Sequence, residues 1–251
     1  MQRTSALLVL SGGQDSTTCG FWAKQKFDTI HALTFDYDQR HRREIDAARK
    51  VAEMIGVASH EVLELGPILK GKSPLTNTSE KLETYSDFES MSRMIGERVE
   101  LTFVPMRNAL FLTIAANRAS VLGCRNIVTG VCEADNANYP DCRGVFIGAT
   151  GRYIGLALGK DDILIHTPLI NLTKAQSIAL AQTMPDCMDA LAWSHTAYSD
   201  EYPPVTQDHA TVLRAQGFLE AGVPDPLIVR AYSEGLCPLP NSANYDELRV
   251  P

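Results

Sequence analysis

Apolar runs and helical periodicities alternate along most of the chain. Ala6 to Leu10, Thr29 to Phe35, His60 to Leu65, Asn126 to Cys132 and Asp162 to His166 read as strands. Between them the period changes. From Arg42 to Ile55, apolar Ile45, Ala48, Ala52 and Ile55 recur at three- and four-residue steps among Arg, Glu and Lys, which predicts an amphipathic helix closing at Gly56. A first helix is expected from about Ser16 to Lys26. Another, rich in Ala, Leu and Ile, is expected from Asn108 to Val121 with Gly123 as its stop. Strands alternating with helices predict an α/β fold: a parallel five-stranded sheet covered on both faces.

The alternation breaks twice. From Gly66 to Glu100 the chain turns to Lys, Ser, Thr, Pro and Glu without a clean period. Two readings stand for this excursion, a lid that closes over a ligand or a surface insertion. Beyond Pro185 the pattern is helical and irregular, with helices expected at Leu213 to Gly222 and Pro226 to Glu234 and a Pro/Asn-rich tail from Pro238. Residues 185–251 therefore read as a small C-terminal helical subdomain on a main domain of residues 1–184.

Composition narrows the partners. With 251 residues, 45% of them hydrophobic, the chain can build a full core. A net charge of −7 argues against wrapping nucleic acid, which needs clustered cations, and favours a small-molecule or protein substrate. No apolar run approaches ~20 residues, so no membrane span is expected. Met1-Gln2-Arg3 leads into a strand without a signal pattern, and a cytoplasmic location is expected. Six cysteines without any C-x-x-C read as reduced thiols, and Cys19 reads as a packing residue.

The chemistry concentrates at strand ends. Leu10-Ser11-Gly12-Gly13-Gln14-Asp15-Ser16-Thr17-Thr18 lies between the first strand and the first helix. Both glycines can reach positive φ and admit a phosphate, and Ser11, Ser16 and Thr17 add hydroxyls at the positive end of a helix. No Lys follows, which excludes a G-x-x-x-x-G-K-[ST] loop. An ordinary strand-to-helix turn is the plainer reading. Asp15 reads as a metal-side or turn-holding group, because a bare carboxylate repels phosphate. After the second strand, Arg40 and His41 are donors within reach of anions. Arg107 opens a helix, where a guanidinium suits phosphate or carboxylate. The fourth strand leads through Thr129-Gly130-Val131 to Asp135, Tyr139, Asp141 and Arg143, a set suited to a flat heterocycle bearing a negative group. Lys174 falls in the first turn of a helix, a poor place for an unpaired cation, and a phosphate partner would explain it.

The pattern S-G-G-x-D-S resembles the signature of the PP-loop, or N-type ATP pyrophosphatase, superfamily. Further blocks extend the likeness: Phe35-Asp36-Tyr37 with Gln39-Arg40-His41, Phe103-Val104-Pro105 with Arg107-Asn108, Tyr139-Pro140-Asp141-Cys142-Arg143, Thr167-Pro168-Leu169, and Leu213-Arg214 with Gly217-Phe218. Together, over roughly residues 5 to 235, these resemble the QueC family of 7-cyano-7-deazaguanine synthases. The resemblance implies a Rossmann-like, adenine nucleotide alpha hydrolase-like fold and a homodimer. It implies an ATP-dependent C–N ligase that adenylates 7-carboxy-7-deazaguanine, amidates it with ammonia and dehydrates the amide to the nitrile, with Mg²⁺. By the same resemblance Ser11, Asp15, Ser16 and Lys174 are catalytic. Leu10, Gly12, Gly13 and Thr17 join them around the nucleotide, as do Thr34 and Phe35 from the second strand, Arg107 and Gly130. Arg40, His41, Asp135, Tyr139, Asp141 and Arg143 would face the deazaguanine, and Asp15 would meet Mg²⁺ through the phosphates.

The chain also departs from that family. Its four-cysteine zinc site is replaced: His195 follows Trp193-Ser194, and Val205, Asp208 and Thr211 stand where the other thiolates fall. No structural zinc is expected, and His195, Asp208 and His209 are left as a weak N/O alternative. Asp38 and Met106 stand where the family has glycine. Three outcomes stay open: the free nitrile, an amide conjugate to an amine of a partner protein in antiviral defence, or an inactive ATP-binding scaffold.

Overall fold

The computed structural model describes residues 4–133, 137–159, 163–204 and 206–249. Strand β1 (Ser5–Val9) runs apolar along its whole length, and Ala6, Leu7 and Leu8 are buried on both sides, as a central parallel strand requires. Around it stand β2 (Thr29–Asp36), β3 (Ser59–Glu64), β4 (Asn126–Val128) and β5 (Leu164–His166). All pairings are parallel and the order is β3-β2-β1-β4-β5, a Rossmann-like sheet. The two edges, β3 and β5, are the more exposed strands. β4 closes earlier than its apolar run, at Val128, because the chain leaves the sheet to form the loop beyond it.

Alternate residues of each strand face opposite layers. Ala6, Leu8, Ile30 and Ala32 point to one layer, made by α1 (Gln14–Lys24), α2 (Arg43–Ile55), α6 (Lys174–Gln182), α7 (Cys187–Leu191) and Phe218 of α8 (His209–Glu220). Leu7, Leu33, Phe35 and Ile127 point to the other, built from α4 (Arg107–Leu122) and α5 (Gly144–Leu158). α9 (Pro226–Ser233) completes the C-terminal part. The helical chain beyond 185 shares its core with α1, so residues on both sides of that boundary pack as one layer.

α2 ends as its pattern requires, with Gly56 left-handed at φ 79°. α8 starts four residues before its expected position, because Asp208 accepts from the Thr211 amide and caps it. Within the 66–100 excursion lies α3 (Phe88–Ile95), capped by Asp87. Tyr85, Met91 and Ile95 pack on Val212 and Leu213 of α8, and Leu69 and Leu75 join the α4–α5 layer. The excursion thus bridges α8 and the α4–α5 layer. No helix among the described residues is long and apolar enough to cross a membrane.

Candidate active site

The strand order reverses between β1 and β4, and there a crevice of about 550 Å³ opens at the carboxyl ends of the strands. Its walls come from the turn after β1, the start of α4, the loop after β4, Lys174 and residues 195–198. Its size suits a nucleotide or drug-sized ligand.

Leu10, Ser11, Gly13, Asp15 and Ser16 line this crevice as expected. The hydroxyls of the turn bind the turn itself. Ser16 Oγ donates to the Gly13 carbonyl at 3.1 Å and accepts from the Ser11 amide at 3.2 Å. Thr17 Oγ1 donates to the same carbonyl at 2.9 Å, and Thr17 does not line the crevice. The two glycines differ from expectation. Gly12 alone has positive φ, 91°, and a Cβ there would meet the Glu44 carbonyl oxygen of α2 at 2.1 Å. It admits a neighbouring helix rather than a phosphate. Gly13 is extended, at φ −79°, and starts α1 with no side-chain cap. Gly130 lines the crevice and lets the loop after β4 press on the first turn of α1, since a Cβ would fall 2.9 Å from the Ser16 amide.

Asp15 and Lys174 meet across the crevice, Nζ lying 2.9 and 3.0 Å from the two carboxylate oxygens. The partner that offsets the helix-start cation is therefore a carboxylate. The lysine stem runs against α8 at Gly217, where a Cβ would sit 2.5 Å from Lys174 Cγ. Arg107 is half-buried. Burial opposes its charge, but Tyr37, Tyr139, Tyr198 and Cys142 around it outweigh that and raise its pKa. No carboxylate pairs with it among the described residues. It offers a fixed cation with room for an anion.

Phe35 lines the crevice and stacks on Phe111, with ring centroids 4.1 Å apart. Thr34 does not: its hydroxyl donates to the Leu10 carbonyl and ties β2 to the end of β1. Of the expected substrate residues, His41, Tyr139 and exposed Arg143 line the crevice. Burial, then Tyr198 and Glu100, push the Tyr139 phenol well above its ordinary pKa. Arg40 lies elsewhere, its guanidinium donating to the Thr78 and Glu80 carbonyls and anchoring the excursion. Asp141 also turns away, because its carboxylate accepts from the Asn108 amide at 3.1 Å and satisfies the open start of α4. Asp135 lies outside the described residues.

Several lining residues escaped the sequence reading: Glu44, Phe111, Tyr198 and Thr196. Only Glu44 carried a signal, three residues after His41 at a helix start. The rest are brought in by tertiary packing.

Of the positions read from the sequence as replaced zinc ligands, His195 and Asp208 are each hydrogen-bonded within the protein. His195 is buried, donates its amide to the Gly12 carbonyl, and sets ring Nε2 2.7 Å from the Ser199 carbonyl. Burial lowers its pKa. Besides capping α8, Asp208 accepts from the Tyr198 amide and the Thr206 hydroxyl. Val205 is outside the described residues. Nearby, buried Arg214 uses all five of its N–H donors: two on Asp225, and one each on Ser194, Thr196 and the Leu191 carbonyl. Thr196 in turn accepts from the Gln14 amide, joining this network to the start of α1. Among the described residues no group of three His, Cys, Asp or Glu side chains is placed to hold a metal.

Residues 5–222 match the family model described as Queuosine biosynthesis protein QueC. The chain is 48% identical over 226 residues to a 7-cyano-7-deazaguanine synthase of Gloeobacter violaceus, covering 88% of this chain and 94% of that one. It is 46% identical to the protein of that name from Laribacter hongkongensis, covering 90% and 94%. Among solved structures, a predicted subunit of tRNA methyltransferase from Methanocaldococcus jannaschii is similar at TM-score 0.44 and 16% identity, over 71% of this chain and 74% of that one. The family match and the identity across nearly the whole length place this chain in the QueC family.

Proposed function

We propose that this chain is an ATP-dependent synthase that activates the carboxylate of 7-carboxy-7-deazaguanine as an acyl-adenylate and amidates it with ammonia. A second activation then allows loss of water to 7-cyano-7-deazaguanine. The family relationship supports the class of reaction, and one observation supports its location. A single crevice combines an uncapped helix start, the Asp15–Lys174 pair and Arg107 without a carboxylate partner.

The chemistry follows from leaving-group strength. A carboxylate oxygen is too basic to leave, and adenylation makes AMP the departing group. The first turn of α1 and Lys174 form a donor set that fits a triphosphate. Arg107 has the fork geometry for a carboxylate or an α-phosphate. Phe35, Phe111 and Tyr139 offer aromatic surface to flat rings. Asp15 is the residue that would hold Mg²⁺, which would supply neutralisation of the charge developing on the pyrophosphate. Fixed cations aimed at that charge are the main source of rate, each worth on the order of 10²–10³-fold. Zinc has no part in this reading, and the homodimer, the cytoplasmic location and the C-terminal subdomain remain parts of the proposal.

The test is product analysis. Purified protein with ATP, 7-carboxy-7-deazaguanine and ammonium should yield AMP, pyrophosphate and the nitrile by mass spectrometry. No AMP formation would refute the reading and leave the inactive scaffold. Met106, read from the sequence as standing where glycine is usual, borders Arg107 and favours keeping a second amine in view. An amide-linked mass increase on a partner protein in place of the nitrile would establish that conjugating activity instead.

A further inference from the structure

We infer that Gln14, His41 and Glu44 form the pocket that receives ammonium and takes its first proton. This rests on the amidation proposed above and assigns its nitrogen substrate a place.

The observation is a pair of buried side chains in the crevice wall that carry polar atoms without a hydrogen-bond partner among the described residues. Gln14 is 2% exposed, and neither its Oε1 nor its Nε2 has a hydrogen-bond partner among the described residues. His41 is 5% exposed, and its Nδ1 likewise lacks one. Both residues line the crevice. Buried polar atoms are nearly always satisfied, and those left over in a ligand crevice mark where a ligand or water belongs.

The surroundings select a cation that donates. His41 Nε2 lies 3.3 Å from Glu44 Oε2, and the other carboxylate oxygen of Glu44 accepts from Gln39 Nε2 at 2.9 Å. Gln39 is itself fixed, its Oε1 accepting from the Tyr37 amide at 2.9 Å. Held this way, the carboxylate favours the imidazole proton on Nε2 and leaves a lone pair on Nδ1. Glu44 and Nδ1 are acceptors beside a negative charge, which repels phosphate and suits the N–H groups of ammonium, and Gln14 Oε1 is a further acceptor in the same crevice lining. Other groups face His41 from outside its helix. The Tyr198 ring lies 5.4 Å away, and His195 is coupled to both His41 and Glu44. Burial favours the neutral form of His195, so it adds no opposing charge. The pocket adjoins the turn, since the Glu44 carbonyl packs on Gly12.

The step balances. Ammonium gives one proton to His41 Nδ1, and the freed lone pair attacks the acyl carbon of the adenylate. The C–N bond forms, the C–O bond to AMP breaks, and AMP leaves with that electron pair. A second proton leaves the nitrogen after His41 has returned the first to solvent. The net change is acyl-adenylate plus ammonium to amide, AMP and two protons.

The full-length protein with His41→Asn provides the test. Because His41 also lines the crevice, ATP–pyrophosphate exchange, which needs no amine, is measured on the same variant and any loss there is divided out. Its kcat/KM for ammonium should fall on the order of 10²-fold. Hydroxylamine, neutral near pH 7 and needing no base before attack, should rescue turnover as the hydroxamate. Glu44→Gln should show the same pattern more weakly, and it carries the test if His41→Asn does not fold. Equal losses with ammonium and hydroxylamine, or an unchanged ammonium kcat/KM, would overturn the inference. A wild-type protein that forms no AMP overturns the amidation reading, and this inference with it.

Discussion

Asp38 at φ 61° and Met106 at φ 66°, read from the sequence as standing where glycine is usual, occupy left-handed backbone. The sequence showed the substitution, but only the fold gives its physical meaning. A side chain in that region costs roughly 1–2 kcal/mol, less for Asp than for Met. Met106 is exposed and loses little packing if truncated. Met106→Gly should therefore raise stability by about 0.5–1 kcal/mol, net of the added freedom of the unfolded chain. Urea denaturation measures this, and a lowered midpoint would contradict it. Gly217 gave the opposite lesson, since nothing in its sequence context tied it to Lys174. A methyl group there would displace the lysine stem or α8. Gly217→Ala should slow ATP–pyrophosphate exchange by about tenfold or more, the scale of a misplaced electrostatic group.

At the scale of elements, period and punctuation made β1, β2, α2 and α4 legible, because each repeats one pattern over several turns or pairs. α5 went unread. Its four glycines, Gly144, Gly148, Gly151 and Gly155, dilute helix propensity and blur the apolar stripe. α3 went unread because eight residues inside a polar stretch give too short a window. The candidate site is an element-level product: α1, α2 and the loop after β4 meet at one turn. Gly12→Ala places a Cβ against α2 backbone and forces left-handed φ on alanine, so neither partner can yield by rotating a side chain. It should destabilise by more than about 3 kcal/mol, within the range of severe packing clashes and strain. Thermal unfolding would reveal it, and a change below 1 kcal/mol would show that α2 moves freely.

At the scale of the molecule, the C-terminal helices are held by packing on α1 and by the fully bonded Arg214–Asp225 pair. With His195 and Asp208 already hydrogen-bonded, metal analysis of purified protein should find less than one zinc per chain. A strong chelator should leave the melting temperature unchanged, and a large drop would restore a metal to this region. Protons act on the same scale. Burial lowers the pKa of His60, His166 and His195. Below the ordinary histidine value of about 6.5 the unfolded chain takes up protons that the folded chain refuses. Stability is thus complete above that pH and declines as pH falls toward the folded pKa values. Melting temperature should drop between about pH 7 and pH 5, and His195→Gln should flatten the slope.

The sequence by itself determined the alternating sheet-and-helix plan, the turn after β1 and the family, because these depend on local period, local turn chemistry and ordered motifs. The tertiary structure alone decided which of those residues meet. It turned Asp141, Arg40, Thr34 and Thr17 toward backbone partners, joined Lys174 to Asp15, and left Gln14 and His41 buried with open valences. The reason is physical: a motif fixes which groups a loop carries, whereas the direction of each group depends on neighbours 159 and 182 positions away in the chain.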